Sequence, residues 1–162
     1  MALPRELALS YSQLDELMTS AWNMRIATIG PGARVNLTPM WFGWAGGRIY
    51  TYGRGQKVVN IRRQSEVTVL VDRNEQFFEL QGAMFQGHAT VLEDAAAEQD
   101  DPFLEQARRQ MALKYHGGHT APDVDPGPVA ERNTATASGR NRRWMVVEPE
   151  RTVTWDNLKL PR

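Results

Sequence analysis

The sequence contains no cysteine, which removes disulfide frameworks, thiolate metal centres and cysteine nucleophiles together. It also lacks long apolar runs. Met1 to Ser10 carries none suited to a signal peptide, and nothing later approaches the length of a membrane span. The expectation is a cytoplasmic protein with no membrane partner. Charge of one sign is missing too: 19 basic and 19 acidic side chains cancel, so no global field draws the chain toward nucleic acid. Lysine is scarce, since only Lys57, Lys114 and Lys159 occur and every other basic residue is arginine. Lys57 is thus the only lysine in the first two-thirds of the chain. No internal repeat is present.

What is present suits a single domain over 1–162, long enough to bury roughly two-thirds of its unfolded surface. Ser12 and Asp15 read as a capping box, and Leu14, Leu17, Met18 and Trp22 follow at helical spacing. Met24 to Ile29 reads as a strand and Gly30-Pro31-Gly32 as a turn. Arg34 to Trp44 reads as a long second strand and Arg48 to Tyr52 as a third, making a β-meander. Gly53-Arg54-Gly55 breaks the pattern, and Gln56 to Gln64 is a short helix. Val67 to Val71 is a continuous apolar run, hence a buried strand. Phe77 to Leu92 is a long strand whose Gly82 and Gly87 suggest bulges. A second helix starts at Asp101-Pro102, with Asp as cap, Pro first and a stripe of Leu104, Ala107, Met111 and Tyr115. Residues 116–142 lack periodicity and read as a mobile surface loop, a candidate lid. Arg143 to Glu148 and Arg151 to Trp155 supply a final strand or pair of strands. The total is a mainly β chain of six to seven mostly antiparallel strands with two to three helices, a closed barrel rather than an open sheet.

Chemistry concentrates between Asn36 and Val71. A glycine loop entering a helix exposes unpaired amides, and a helix start carries partial positive charge. With Arg54 and Lys57 added, this is an anion site suited to a phosphate. The plainer reading of the same residues is an exposed turn with two solvated cations. It is not a Walker motif, because the Gly-Lys-Ser/Thr pattern is absent. His116-Gly117-Gly118-His119, with Asp123 and Asp125, can be drawn as a metal cluster but reads more simply as loop. His88 reads as a packed core histidine. Trp41, Trp44 and Trp155 are fit to stack on a ring system, although tryptophan in a barrel core is equally ordinary. No Ser/His/Asp triad or carboxylate pair emerges from spacing, so no catalytic acid or base is expected.

Several runs together carry a resemblance: Pro39-Met40-Trp41-Phe42, Gly47-Arg48-Ile49-Tyr50, Arg54 to Arg63, and Val67 to Asp72. Gly87-His88-Ala89, Lys114-Tyr115 and Trp155-Asp156 agree with them. In order and spacing the chain resembles the pyridoxamine-phosphate-oxidase-like superfamily, and within it the small flavin/deazaflavin oxidoreductases abundant in actinobacteria. The resemblance implies a homodimer of split β-barrels with cofactors in grooves between subunits. It matches the strand backing the cofactor ring to Leu37–Phe42, which includes Thr38, Pro39, Met40 and Trp41. It matches the phosphate segment to Thr51–Lys57, which includes Tyr52, Arg54, Gly55 and Gln56, with Asn60 assisting. Lys57 falls where the family's phosphate lysine sits. The oxidase's Ser-Arg pair before that lysine is replaced by Gly55-Gln56, and its C-terminal substrate motif is missing, so vitamin B6 oxidation is not expected.

The implied activity is an oxidoreductase whose cofactor transfers hydride to or from a small organic substrate. The deazaflavin coenzyme F-420 is expected ahead of FMN. Gly55 leaves room for its longer tail, and Arg54, Arg62 and Arg63 lie nearby for the tail's carboxylates. The alternative is a non-catalytic barrel that binds a tetrapyrrole, biliverdin or haem, or stores a flavin.

Overall fold

Alternation and turn chemistry decide most of the architecture. A computed structural model of the chain describes residues 5–116 and 142–161. Val67, Val69 and Val71 are buried while Thr68 and Leu70 are half-exposed, so this expected all-buried strand is a half-buried one, β5 (Glu66–Arg73). The other strands are β1 (Met24–Ile29), β2 (Val35–Met40), β3 (Gly43–Ala45), β4 (Arg48–Gly53), β6 (Gln81–Leu92) and β7 (Arg143–Asp156). The helices are α1 (Tyr11–Ser20), α2 (Gln56–Arg63), α3 (Ala95–Asp100) and α4 (Leu104–His116). All pairings in the seven-stranded sheet are antiparallel, in the order β2-β1-β5-β6-β7-β4-β3.

That order corrects the expected second strand. Arg34 to Trp44 is two strands, β2 and β3, which occupy opposite edges of the sheet. The expected meander does not form: β2 pairs with β1, and β3 pairs with β4 across Gly46 (φ 58°) and Gly47 (φ 72°). Two consecutive positive φ values suit the tight turn that a twisted hairpin needs. Met40-Trp41-Phe42 is as β-prone as its surroundings, so local preference shows no break. The break comes from a change of partner. Three residue steps reach about 11 Å at most, whereas seven strands laid flat would hold their edges roughly 29 Å apart. The sheet must therefore curl until its edges meet, which is the split barrel.

Smaller differences have local causes. The capping box at α1 uses Ser10, whose hydroxyl accepts from the Gln13 amide at 3.2 Å while the Ser10 amide donates to Gln13 Oε1 at 2.9 Å. Starting the helix earlier adds intrahelical bonds that Ser12 would forgo. Trp22 lies beyond the end of α1. Phe77–Glu79 is a 3-10 turn, so β6 starts at Gln81. The bulge falls at Gln86/Gly87, as expected of Gly87. Gly82 keeps register and instead admits the Trp155 ring, 2.1 Å from where a Cβ would stand. Helix α3, capped by Asp94, was not anticipated. Asp101 caps the start of α4, accepting from the amides of Phe103 and Leu104, and Leu104, Ala107 and Tyr115 are buried. The last strand is one piece. His88 is not in the core: on the outward register of β6 it sits between Ser65 and Glu150, at 3.0 and 3.2 Å. Of the loop expected over 116–142, His116 ends α4 and Arg142 precedes β7, while residues 117–141, the lid role and the His119-Asp123-Asp125 group lie outside the described residues. Among the described residues no helix is long and apolar enough to cross a membrane.

The main core lies inside the barrel and includes Leu17, Met24, Ile26, Phe42, Val69 and Phe85; a second cluster of Tyr50, Leu104, Trp144 and Val146 packs under α4. Lys114 on α4 joins α1 to the edge-to-edge crossover. Its ammonium donates to the carbonyls of Met18, Ala21 and Phe42 at 3.1, 3.1 and 3.3 Å and lies 3.9 Å from the centre of the Phe42 ring. Burial pushes this lysine down to about 8. An unfolded lysine titrates near 10.4, so the fold carries a penalty for the charge below pH 8 that disappears as pH rises toward 10. The stability of the wild type relative to Lys114→Met should therefore increase between pH 8 and 10, by about 1–3 kcal/mol. Denaturant melts of both proteins across that range check it; a flat difference would refute the assignment.

Candidate functional site

The end of β2, the end of β4 and the start of α2 converge at one place. Gly55 precedes α2 at φ 86°, ψ −154°, a conformation open to glycine and strained for other residues. It offers no capping side chain, and a Cβ built on it would find nothing within 4 Å. The amides of the first turn of α2, from Gln56 and Lys57, thus have no helical acceptor and no cap above them. The Lys57 side chain folds back across this loop, and its ammonium donates to the Arg54 carbonyl at 2.8 Å. Partial burial holds its pKa below the usual lysine range. The lysine stem runs beside Gly53, where a Cβ would stand 2.9 Å from Met40 Cε and 3.9 Å from Lys57 Cδ. Met40, from one sheet edge, packs onto Gly53 because residue 53 has no side chain, and the Lys57 stem borders the same spot.

Thr51 and Trp41 extend the same contact. The buried Thr51 hydroxyl donates to the Trp41 carbonyl at 2.7 Å, fixing the crossover against β4. Trp41 is 47% exposed and stacks face to face on Tyr115, with centroids 4.4 Å apart and planes 4° from parallel. Tyr52 is half-buried against Trp144, and burial raises its pKa. Thr38 and Pro39 lie on the outer stretch of β2, paired with Ile26 and Arg25, and the Thr38 hydroxyl bonds Asn36 at 3.1 Å. The structure therefore brings together Met40, Trp41, Thr51, Arg54, Gly55 and Lys57.

Two expected side chains are engaged inside the protein. Asn60 is fully buried; its amide donates to Thr28 Oγ1 at 3.0 Å, and its carbonyl oxygen accepts from Gln56 Nε2 at 2.8 Å. These bonds hold α2 against β1, so Asn60 and the Gln56 side chain set the position of the helix start. Arg62 was expected to supply positive charge to a cofactor tail, but it forms a two-pronged pair with Glu93, both contacts at 2.6 Å. That leaves Arg54 and Arg63 as the nearby exposed cations that sequence had also named. Sequence reading missed Gly53 as a packing position, because it looked like a mere break. It also took Tyr115 for a helix-stripe residue and gave Lys114 no role. Among the described residues no cluster of His, Asp and Glu is arranged for a metal ion.

The fold is a split barrel whose uncapped, lysine-flanked helix start follows the β4 strand that holds the closing crossover. The sequence profile of the pyridoxamine 5'-phosphate oxidase family matches residues 12–156, and the chain belongs to that family. No curated protein sequence is matched. Among solved structures, a conserved hypothetical protein of Mycobacterium tuberculosis, Rv2991, is 25% identical with a TM-score of 0.79, over 100% of this chain and 95% of that one. HutZ, the haem storage protein of Vibrio cholerae, is 14% identical with a TM-score of 0.67, over 93% of this chain and 98% of that one. An F-420 reductase is 18% identical with a TM-score of 0.55, over 85% of this chain and 94% of that one. The last two show a shared fold.

The inward role of Asn60 has a measurable consequence. Asn60→Ala leaves the buried Thr28 hydroxyl without its partner and should destabilise the protein by about 1–3 kcal/mol. Urea denaturation measures this, and a variant as stable as the wild type would contradict the bracing role.

Proposed function

We propose that this protein is an oxidoreductase that binds a flavin-type cofactor by its phosphate, with coenzyme F-420 preferred to FMN, and reacts it with a small organic substrate. One observation carries the reading: the start of α2 has free amides, no capping side chain and Lys57 alongside. Phosphate is the ligand that such a helix start accommodates best, because its oxygens accept several amide bonds and its charge meets the positive helix end. The open space above Gly55 fits the group, since any side chain there would stand between the amides and the anion. Family membership supports the same choice.

The chain's own part is binding, orientation and shielding. Lys57 would exchange its bond to the Arg54 carbonyl for one to the phosphate, helped by the Gln56 and Lys57 amides and by Arg54. Asn60 keeps the helix start in place through Thr28. The backbone from Leu37 to Trp41 would lie along the ring, with Thr38, Pro39 and Met40 on that strand. When bound, a deazaflavin or flavin supplies hydride transfer, so the protein needs no acid or base of its own. The preference for F-420 rests on Gly55, which leaves an exit for a tail continuing past the phosphate, and on Arg54 and Arg63 beyond it. The solved F-420 reductase of the same fold supports this choice.

A homodimer belongs to the same proposal. Val35 and Leu37 on the edge strand β2 are 68% and 64% exposed, an apolar edge that a second subunit would cover. Light scattering at micromolar concentration should give the mass of two chains. A strictly single-chain mass would remove the shared-groove arrangement.

The cofactor assignment is tested by parallel titrations with F-420 and FMN. Loss of a charge-assisted bond to an anion should weaken binding by roughly ten- to more than a hundred-fold in Lys57→Ala. The variant's circular dichroism should match the wild type. Tight FMN binding without F-420 binding would reverse the cofactor choice. Unchanged affinity in Lys57→Ala would move the phosphate elsewhere, and a Soret band with haem alone would replace the oxidoreductase by a tetrapyrrole carrier.

A further inference from the structure

We infer that Ser65, His88 and Glu150 form a nucleophilic centre, past the far end of α2 from Gly55, in which Ser65 attacks small carboxylic esters. A Ser–His contact on a protein surface is ordinarily incidental. Here the base is held in turn by a third group, which is the arrangement that activates a serine. Ser65 Oγ lies 3.0 Å from His88 Nδ1, and Glu150 Oε1 lies 3.2 Å from His88 Nε2. A carboxylate only accepts, so Nε2 carries the ring proton of the neutral imidazole. Nδ1 is then an acceptor, and the Ser65 hydroxyl donates to it. The carboxylate thus fixes the tautomer that makes His88 a base toward Ser65.

The backbone keeps the three groups together. Ser65 joins the end of α2 to β5, and its carbonyl accepts from the amide of Ala89, the residue after His88, at 2.8 Å. On the other side the bulge sets Glu150. Gln86 pairs with Arg151 and Gly87 with Pro149, which leaves Glu150 as the extra residue of β7. Glu148, directly opposite His88, is instead taken by Arg48 at 2.7 Å. His88 also lines a groove of about 420 Å³ on the outer face of the sheet, a size suited to a small ligand. Gln86 and Arg151 line the same groove, and Ala27, Ile29 and Val35 give it an apolar side for a short acyl chain. The second subunit proposed against β2 would close that side at Val35.

In the reaction Ser65 Oγ bonds to the ester carbonyl carbon while its proton passes to His88 Nδ1. The oxyanion that forms takes hydrogen bonds from Arg151 and Gln86. Its collapse breaks the bond to the alcohol oxygen, and the alcohol leaves with the proton from His88. Water then attacks the acyl-serine by the same route, which releases the acid and restores Ser65. Glu150 acts through His88 as a positioning residue.

The test uses the full-length protein with two probes, p-nitrophenyl butyrate and a biotin-linked fluorophosphonate that traps activated serine. The wild type should release p-nitrophenol over many turnovers, and peptide mass spectrometry should find the phosphonyl group on Ser65. Ser65→Ala and His88→Ala should each lose roughly a hundredfold or more in kcat/KM with circular dichroism unchanged. Glu150→Gln should lower kcat by roughly tenfold or more, keep KM within about twofold, and slow the labelling of Ser65 in step. A label confined to other residues, no label at all, or wild-type turnover in Ser65→Ala would each overturn the inference. An unchanged kcat in Glu150→Gln would remove the carboxylate from the centre, and the triad with it. No step involves F-420 or FMN, so the outcome is independent of whether either binds.

Discussion

Between Met40 and Gly43 the chain has only Trp41 and Phe42 with which to pass from one edge of a seven-stranded sheet to the other. Two residues cannot bridge the width of a flat sheet, so this short passage makes the barrel close. It also divides the two aromatic side chains between inside and outside. Phe42 is fully buried in the main core, and Trp41 remains half-exposed beside the candidate site. The polar atoms of the crossover are met by Thr51, Tyr115 and Lys114. Barrel closure and the placement of the site are one event, and helix α4 secures both.

Missing side chains do as much at this site as those present. Gly53 makes room for Met40 to pack against β4, and Gly55 adopts a backbone conformation that leaves the start of α2 uncovered. Elsewhere Gly87 lets β6 pass within 2.1 Å, measured from a built Cβ, of the Glu148 carbonyl on β7 at the bulge. The buried amide of Asn60 then gives the exposed helix start a firm base: it ties α2 to Thr28 on β1, so the direction of the free amides is set by the barrel. The proposed anion site needs few charged side chains, which agrees with a chain of zero net charge and one lysine beside the helix start. The pairing of Arg62 with Glu93 narrows the local positive charge further.

How much of this was legible in the sequence depends on the range of the interaction involved. The strand β1 and the helix α2 follow from local pattern, and both are found where the sequence places them. The glycine loop with Lys57 was equally readable, because helix-start chemistry is confined to a few consecutive residues. The split of Arg34–Trp44 was not readable: the residues favour strand throughout, and only the choice of partner strand separates β2 from β3. His88 was misjudged for a related reason, since its face depends on the register of β6 against β5 and β7.

The sequence by itself determined a mainly β domain, an uncapped glycine-lysine helix start and membership cues for a cofactor-binding family, because each rests on neighbours in the chain. Only the tertiary structure decided which side chains share the site. It turned Asn60 inward, paired Arg62 with Glu93, and brought Met40 across the barrel seam to Gly53. It also built the Trp22–Trp41–Tyr115 array from three separate segments. Those contacts join residues tens of positions apart, and curling the sheet is what brings them within reach.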